Sequence, residues 1–258
     1  MELSIPVDGG EVWAEDAGGD GTPLVLMHPG WGDSTIWDPV LGRLDVRRFR
    51  VIRYDARGYG RSPAPAVPYS QLGDLTAVLD HLRVLEATLV AHSGAGGPAT
   101  GLALAQPERV SALVLVAPGV QDYPWPQDDP YGQQFGALFA AGDRDGLAEL
   151  GLRTWAAAGA DPAARAQIAG AVTTFFALGD LERPDPPAYA RLGEISAPSV
   201  LAVGDLEYPM VREAAERIAG AIPGCQMLVV PGADHLLPLR APGLLAGLIS
   251  DTAGRAAG

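Results

Sequence analysis

The sequence predicts an α/β fold: a mostly parallel sheet of eight strands, helices on both faces and a small helical lid. Three observations carry this. Short apolar runs recur along the chain, they are continuous rather than alternating, and helix-like segments separate them. Continuous Val and Leu runs mark strands buried on both faces, the condition of a parallel sheet. Regular alternation of such strands with helices gives a doubly wound architecture.

The first two strands, Leu3–Val7 and Glu11–Asp16, flank Asp8-Gly9-Gly10 and read as an antiparallel hairpin. Leu24–His28, Arg50–Asp55, Thr88–His92, Ala112–Ala117, Ser199–Gly204 and Gln226–Pro231 follow, each ending at or beside Gly, Pro, Asp or His. Between them, Ser70–Glu86 sets Leu72, Leu75, Leu79 and Leu82 at helical spacing, with Ser70 as a cap. Met210–Ala221 and Pro238–Ser250 read as further amphipathic helices. From Gln121 to Glu194 the buried-strand signal stops. That stretch opens on DYPWPQDDP, continues as three helices and closes with RPDPP. The chain therefore divides into a core, residues 1–120 and 195–258, and a helical lid, residues 121–194, over the carboxyl edge of the sheet.

Composition bounds the partners. Hydrophobic residues make up 48% of the 258 and charged ones 19%, the balance of a chain with a large core. The formal charge is −13, and the chain has no lysine and no basic run. Phosphate backbones and anionic membranes are therefore poor partners, and a small-molecule substrate is expected, with a homodimer left open. One cysteine, Cys225, excludes an intrachain disulfide and a Cys-based zinc cluster. The first residues lack the basic start and apolar run of a signal peptide, so the expectation is a cytoplasmic protein.

The sharpest chemical signal is Ala91-His92-Ser93-Gly94-Ala95, directly after the run TLVA and directly before the helix-like GGPATGLALA. A nucleophile on a strained strand-to-helix turn needs small residues two before and two after it, because bulky ones would collide. A serine there needs a base. Of the four histidines, His81 falls within a helix and reads as solvated, while His92 adjoins the serine and points away from it. His235, in Gly232-Ala233-Asp234-His235 after the last strand, is the candidate base. Leu26-Met27-His28-Pro29-Gly30-Trp31-Gly32 follows the first long strand, and its glycines let the backbone approach a substrate. The amides of Gly94 and Trp31 are the candidate oxyanion donors, with Gly30 an alternative to Trp31, and His28 orders the loop.

These stretches, with RYDARGYGRSP (53–63), PERVSALVLVAPG (107–119), PSVLAVGDLEYP (198–209) and PGADHLLPLRAP (231–242), make the chain resemble the α/β-hydrolase superfamily. The likeness is to its esterase-like and cofactor-free haloperoxidase-like branch. The resemblance implies the chain order serine, acid, histidine and no cofactor or metal. Relatives carry Gly-x-x-Asp before the last strand. Here Gly204-Asp205-Leu206-Glu207 puts glutamate in the aspartate's place, so Glu207 is the expected acid, with Asp205 and Asp122 as alternatives. Arg240 stands where relatives often carry Glu and reads as a surface difference. Asp55, Arg57, Gly58 and Ser62 read as turn-stabilising, as in the family. A serine at 93 argues against haloalkane dehalogenases and epoxide hydrolases, which attack through a carboxylate.

The lid supplies Trp125, Tyr131, Phe135, Phe139, Trp155, Phe175 and Phe176 and few basic residues. With His28, Gly30 and His92, the lid residues Trp125, Phe139 and Trp155 are expected to shape an apolar pocket. The resulting expectation is a serine hydrolase cleaving a carboxylic ester, lactone or thioester of a small, largely apolar substrate. A perhydrolase, acyltransferase, C–C hydrolase or hydroxynitrile lyase with the same triad, or a ligand-binding member of the fold without activity, would share these motifs.

Overall fold

The computed structural model describes residues 1–45 and 47–256. In chain order its elements are β1 (Glu2–Val7), β2 (Gly10–Asp16), β3 (Thr22–Met27), α1 (Asp38–Leu41), β4 (Phe49–Tyr54), α2 (Gln71–His81) and β5 (Ala87–His92). Then come α3 (Gly96–Ala105), β6 (Val110–Val116), α4 (Pro130–Ala141), α5 (Arg144–Trp155), α6 (Pro162–Ala177), β7 (Ser199–Gly204) and α7 (Pro209–Ala221). β8 (Gln226–Val230), α8 (Leu237–Arg240) and α9 (Pro242–Ala256) close the chain. The strands form one eight-stranded sheet ordered β1-β2-β4-β3-β5-β6-β7-β8. β2 pairs antiparallel with β1 and β4, and every later pairing is parallel.

Alternate residues of the inner strands feed two cores, one on each face. Val25, Leu89 and Leu113 pack with Leu75, Val78 and Leu102 from α2 and α3. Leu24, Leu26, Val90 and Val114 pack on the other face with Val40, Leu245 and Ile249 from α1 and α9. Each face is closed by helices, which is why the strands read as unbroken apolar runs.

The strand order reverses between β3 and β5: β4 lies on one side of β3, β5 on the other. The loops leaving these two strands diverge there and open a crevice at the carboxyl edge. The segment between β6 and β7 covers that edge. Gln167 of α6 accepts from the Asp33 amide at 2.9 Å, and the Thr174 hydroxyl donates to the Gly58 carbonyl at 2.8 Å. Asp129, Asp143 and Asp161 cap α4, α5 and α6 with their carboxylates, and Asp129 and Asp161 precede a proline in the first helical position.

Two helices differ from their sequence reading. The helix expected over Ser70–Glu86 starts as predicted, the Ser70 hydroxyl accepting from the Gly73 amide, but ends at His81, and Arg83 takes a left-handed φ of 55° that a helix cannot continue. The helix expected over Pro238–Ser250 is two helices meeting at Ala241, whose φ of −132° and ψ of 51° are not helical, as suits a residue that Pro242 pushes out of the α region. Among the described residues no helix is long and apolar enough to cross a membrane.

The carboxyl ends of β7 and β8 approach so closely that a Cβ on Gly204 would lie 2.0 Å from the Ala233 carbonyl oxygen. Backbone on both sides leaves no flexible atom to yield. Gly204→Ala is expected to cost about 2 kcal/mol and lower Tm by roughly 4–8 °C in a thermal melt followed by circular dichroism.

Candidate active site

Ser93 sits at the end of the central strand β5 with φ of 56°, in the left-handed region that a serine adopts only when its surroundings impose it. Those surroundings are tight. Ala91 and Ala95 are buried, and a Cβ on Gly96 would meet the Gly119 carbonyl at 2.5 Å. The Gly119 amide donates to the Ser93 carbonyl at 2.8 Å, tying the turn to the loop after β6. The strain lifts the hydroxyl out of the strand direction and toward the crevice.

There Ser93 Oγ lies 2.9 Å from His235 Nε2, and His235 Nδ1 donates to Glu207 Oε2 at 2.8 Å. The carboxylate is acceptor only, which fixes the proton on Nδ1 and leaves the Nε2 lone pair facing the serine. The Glu207 side chain is wholly buried, and its other oxygen accepts from the Tyr208 amide at 2.8 Å. The longer acid thus folds back along its own loop. Asp205 bridges the same two loops instead, accepting from the Gly232 amide at 2.7 Å. Asp122 is exposed on a left-handed turn. Trp155 from α5 packs on the His235 ring at 4.6 Å.

The serine and histidine open onto a cavity of about 720 Å³, whose walls include Trp31, Gly94, Gly119, Trp125, Tyr131 and Trp155. Asp129, Gln127, Met210 and Val211 complete its far side. Tyr131 and Met210 are not marked out as wall residues by the sequence, since their contact with the cavity depends on where α4 and α7 dock. Among the described residues no group of three His, Cys, Asp or Glu side chains is arranged to hold a metal.

Four residues expected on the pocket surface lie outside the main cavity. Phe139 is 40% exposed near the end of α4, stacked between Phe135 and Phe176, because it lies one helical turn beyond Phe135 on the same face and past the cavity rim. His28 is buried under the loop after β3: it donates from Nδ1 to the Pro29 carbonyl and accepts at Nε2 from the Ala56 amide, so both ring nitrogens serve the loop. His92 is fully buried behind His235, donating from Nε2 to the His235 carbonyl at 2.8 Å. Gly30 lines a smaller, adjoining hollow rather than the main cavity. Trp125 and Trp155 do line the main cavity. His81 is exposed at the end of α2.

Arg240 is not the surface difference expected of it. Its side chain is 12% exposed and its Nε donates to Asp234, a fully buried carboxylate that also accepts from the amides of Leu236 and Ala158. The same guanidinium pairs with Asp161 and donates to the Gly159 carbonyl. One arginine therefore joins the loop carrying His235 to the connection between α5 and α6. Its binding partner lies 79 residues away, which no local pattern reveals.

A model of the alpha/beta hydrolase family matches residues 24–248, and the chain belongs to that family. The sn-1-specific diacylglycerol lipase ABHD11 of Danio rerio is 38% identical over 104 residues, 39% of this chain and 33% of that protein. The match spans about a third of that relative's length. The solved structure of Est816, described as an N-acyl homoserine lactone degrading enzyme, superposes with a TM-score of 0.78 at 25% identity, covering 96% of this chain and 99% of that one. Carboxylesterase CesB from Bacillus subtilis gives a TM-score of 0.81 over 98% of this chain and 90% of that one, and at 21% identity the likeness is one of fold.

Two outcomes follow from the buried ionisable groups. Arg240→Met leaves Asp234 buried without its cation and is expected to cost about 3 kcal/mol in urea unfolding, with Arg240→Lys recovering only part of it. Burial, and then the neighbouring His235, hold the His92 imidazole neutral, well below the ordinary histidine range. Only the unfolded chain takes up that proton, so this part of stability is present above about pH 6.5 and fades as pH falls, by at most about 1.4 kcal/mol per pH unit. His92→Gln is expected to flatten the acid side of a stability–pH curve measured by urea unfolding between pH 7 and 5.

Proposed function

We propose that this chain is a serine hydrolase that cleaves a carboxylic ester, lactone or thioester of a small, largely apolar substrate through an acyl-serine intermediate. The observation that carries the reading is the continuous Ser93–His235–Glu207 relay at the floor of the 720 Å³ cavity. Ser93 Oγ attacks the carbonyl carbon while His235 Nε2 takes its proton. Glu207 holds the imidazole in the required tautomer and stabilises its cation. The carbonyl oxygen becomes an oxyanion, received by the amides of Gly94 and Trp31, which border the cavity beside Ser93. The imidazolium returns its proton to the leaving alkoxide or thiolate. Water, deprotonated by the same histidine, then releases the acid and restores the serine.

Substrate class follows from the walls. No arginine lines the cavity and the chain has no lysine, so a phosphate or sulfate ester would find no cation, whereas indole and phenol rings suit apolar or aromatic groups. The lactone activity named for the Est816 structure belongs to the same reaction class.

A fluorophosphonate probe is expected to label Ser93, and p-nitrophenyl acetate to give a burst of p-nitrophenol. Ser93→Ala abolishes both while the circular dichroism spectrum is retained. Glu207→Gln is expected to lower kcat steeply, since the comparable change in a Ser-His-Asp protease costs about 10⁴-fold. Asp122→Asn and Asp205→Asn change it far less. Labelling that persists in Ser93→Ala, or a silent Glu207→Gln beside a crippling Asp122→Asn, overturns these assignments.

A further inference from the structure

A second hollow of about 250 Å³ adjoins the main cavity, lined by Gly30, Trp31, Tyr131, Gly132, Phe135 and Phe175. Trp31, Tyr131 and Gly132 also line the 720 Å³ cavity beside Ser93, so they form a wall common to both spaces. The Trp31 indole meets Phe175 edge-on at 4.8 Å and Phe135 at 6.1 Å, both rings of the smaller hollow. Trp155, a ring of the main cavity, lies 6.4 Å from the same indole. Tyr131 is the second leaf of the wall, its hydroxyl accepting from Trp155 Nε1 at 3.2 Å.

The indole is held in place. Trp31 is buried, and a Cβ at Gly151 of α5 would lie 2.4 Å from Trp31 Cζ3, so the bare backbone at 151 is the slot that receives the ring. The loop beyond it is tied to α6 through the bond from the Asp33 amide to Gln167.

We infer that the Trp31 side chain is a partition that sets how long a substrate substituent can be, and that the aromatic hollow behind it is an apolar subsite closed to substrate while the indole is present. The substrate class is then neutral esters or lactones whose group on that side is compact, rather than long-chain acyl or alkyl esters. This inference rests on the serine-hydrolase reading. The main-chain amide of Trp31 and its indole have separate tasks, the one facing the oxyanion and the other limiting length.

Each methylene buried in an open apolar channel raises kcat/KM roughly fourfold, whereas a chain that meets a rigid wall gains nothing further. The test measures kcat/KM for two series, p-nitrophenyl esters from acetate to decanoate and acetate esters of linear alcohols from methanol to octanol. It compares the wild-type chain with Trp31→Ala and Trp31→Phe. The readout is the ratio of the longest to the shortest substrate within each protein, which cancels any general loss of activity. Wild type is expected to peak at short chains in one of the two series. In that series Trp31→Ala raises the ratio at least tenfold, and Trp31→Phe raises it by less. Trp31→Phe retains a ring in the slot and carries the test should the alanine variant fail to fold. Ratios within twofold of wild type in both series, for every folded variant, overturn the partition while leaving the hydrolase reading intact. Absence of any burst or fluorophosphonate labelling in the wild type overturns both.

Discussion

The left-handed backbone at Ser93 is the constraint on which the site depends. A non-glycine residue in that region costs on the order of 1–3 kcal/mol, and the cost is borne only where the surroundings leave no alternative. Here β5 is buried along its whole length, α3 begins three residues beyond the serine, and the Gly119 amide holds the Ser93 carbonyl. Straightening the turn would break that bond and drive the start of α3 into Pro118 and Gly119, where there is no room for even a Cβ on Gly96. The small residues around the serine are thus a steric requirement of the turn, and their pattern is visible in the sequence for that reason.

The histidine and glutamate depend on a second close approach. β7 and β8 are neighbours at the far side of the sheet from the hairpin, and Gly204 lets their carboxyl ends meet. Asp205 then links the two loops through the Gly232 amide, Leu206 donates to the Ala233 carbonyl, and His92 grips the His235 carbonyl from below. Glutamate in place of aspartate is accommodated because the Tyr208 amide takes one carboxylate oxygen and turns the other to Nδ1. The geometry of the relay is consequently a property of two strand ends and the buried groups under them.

What the sequence revealed and what it hid follow the range of the interactions. Parallel strands leave continuous apolar runs and the antiparallel first pair flanks a glycine-rich turn, so all eight are legible to within two residues at either end. Helix ends set by one backbone dihedral, at Arg83 and at Ala241 before Pro242, were run through because periodicity persists past them. Ser93, Glu207 and His235 stood out because each follows a strand whose end must carry a special turn. The cavity wall was less legible. Phe135 and Phe139 share a helix face and a residue type, and only the docking of α4 brings the first to the smaller hollow and leaves the second, one turn on, beyond its rim. Arg240 looked like a surface change because its partners, Asp234 and Asp161, are defined by the fold and not by spacing.

The same long-range pairing accounts for the electrostatics of the cavity. The chain carries 31 acidic against 18 basic residues, and several arginines are committed to internal carboxylates: Arg50 to Asp16, Arg57 to Asp74, and Arg240 to Asp234 and Asp161. The Arg57 and Arg240 pairs tie down segments at the carboxyl edge, whereas Arg50 and Asp16 meet at the amino end of β4, and a guanidinium held in any of these ways is not free to neutralise a ligand. With no lysine in the chain, the cavity at Ser93 is left with rings, glutamine amides and the Asp129 carboxylate. An anionic substituent would be desolvated there with nothing to offset the loss. Neutral apolar groups lose little on entering and gain the aromatic walls. Pairing arginines with the scaffold therefore helps build the loops that hold the relay and, on the proposed serine-hydrolase reading, limits what can reach it.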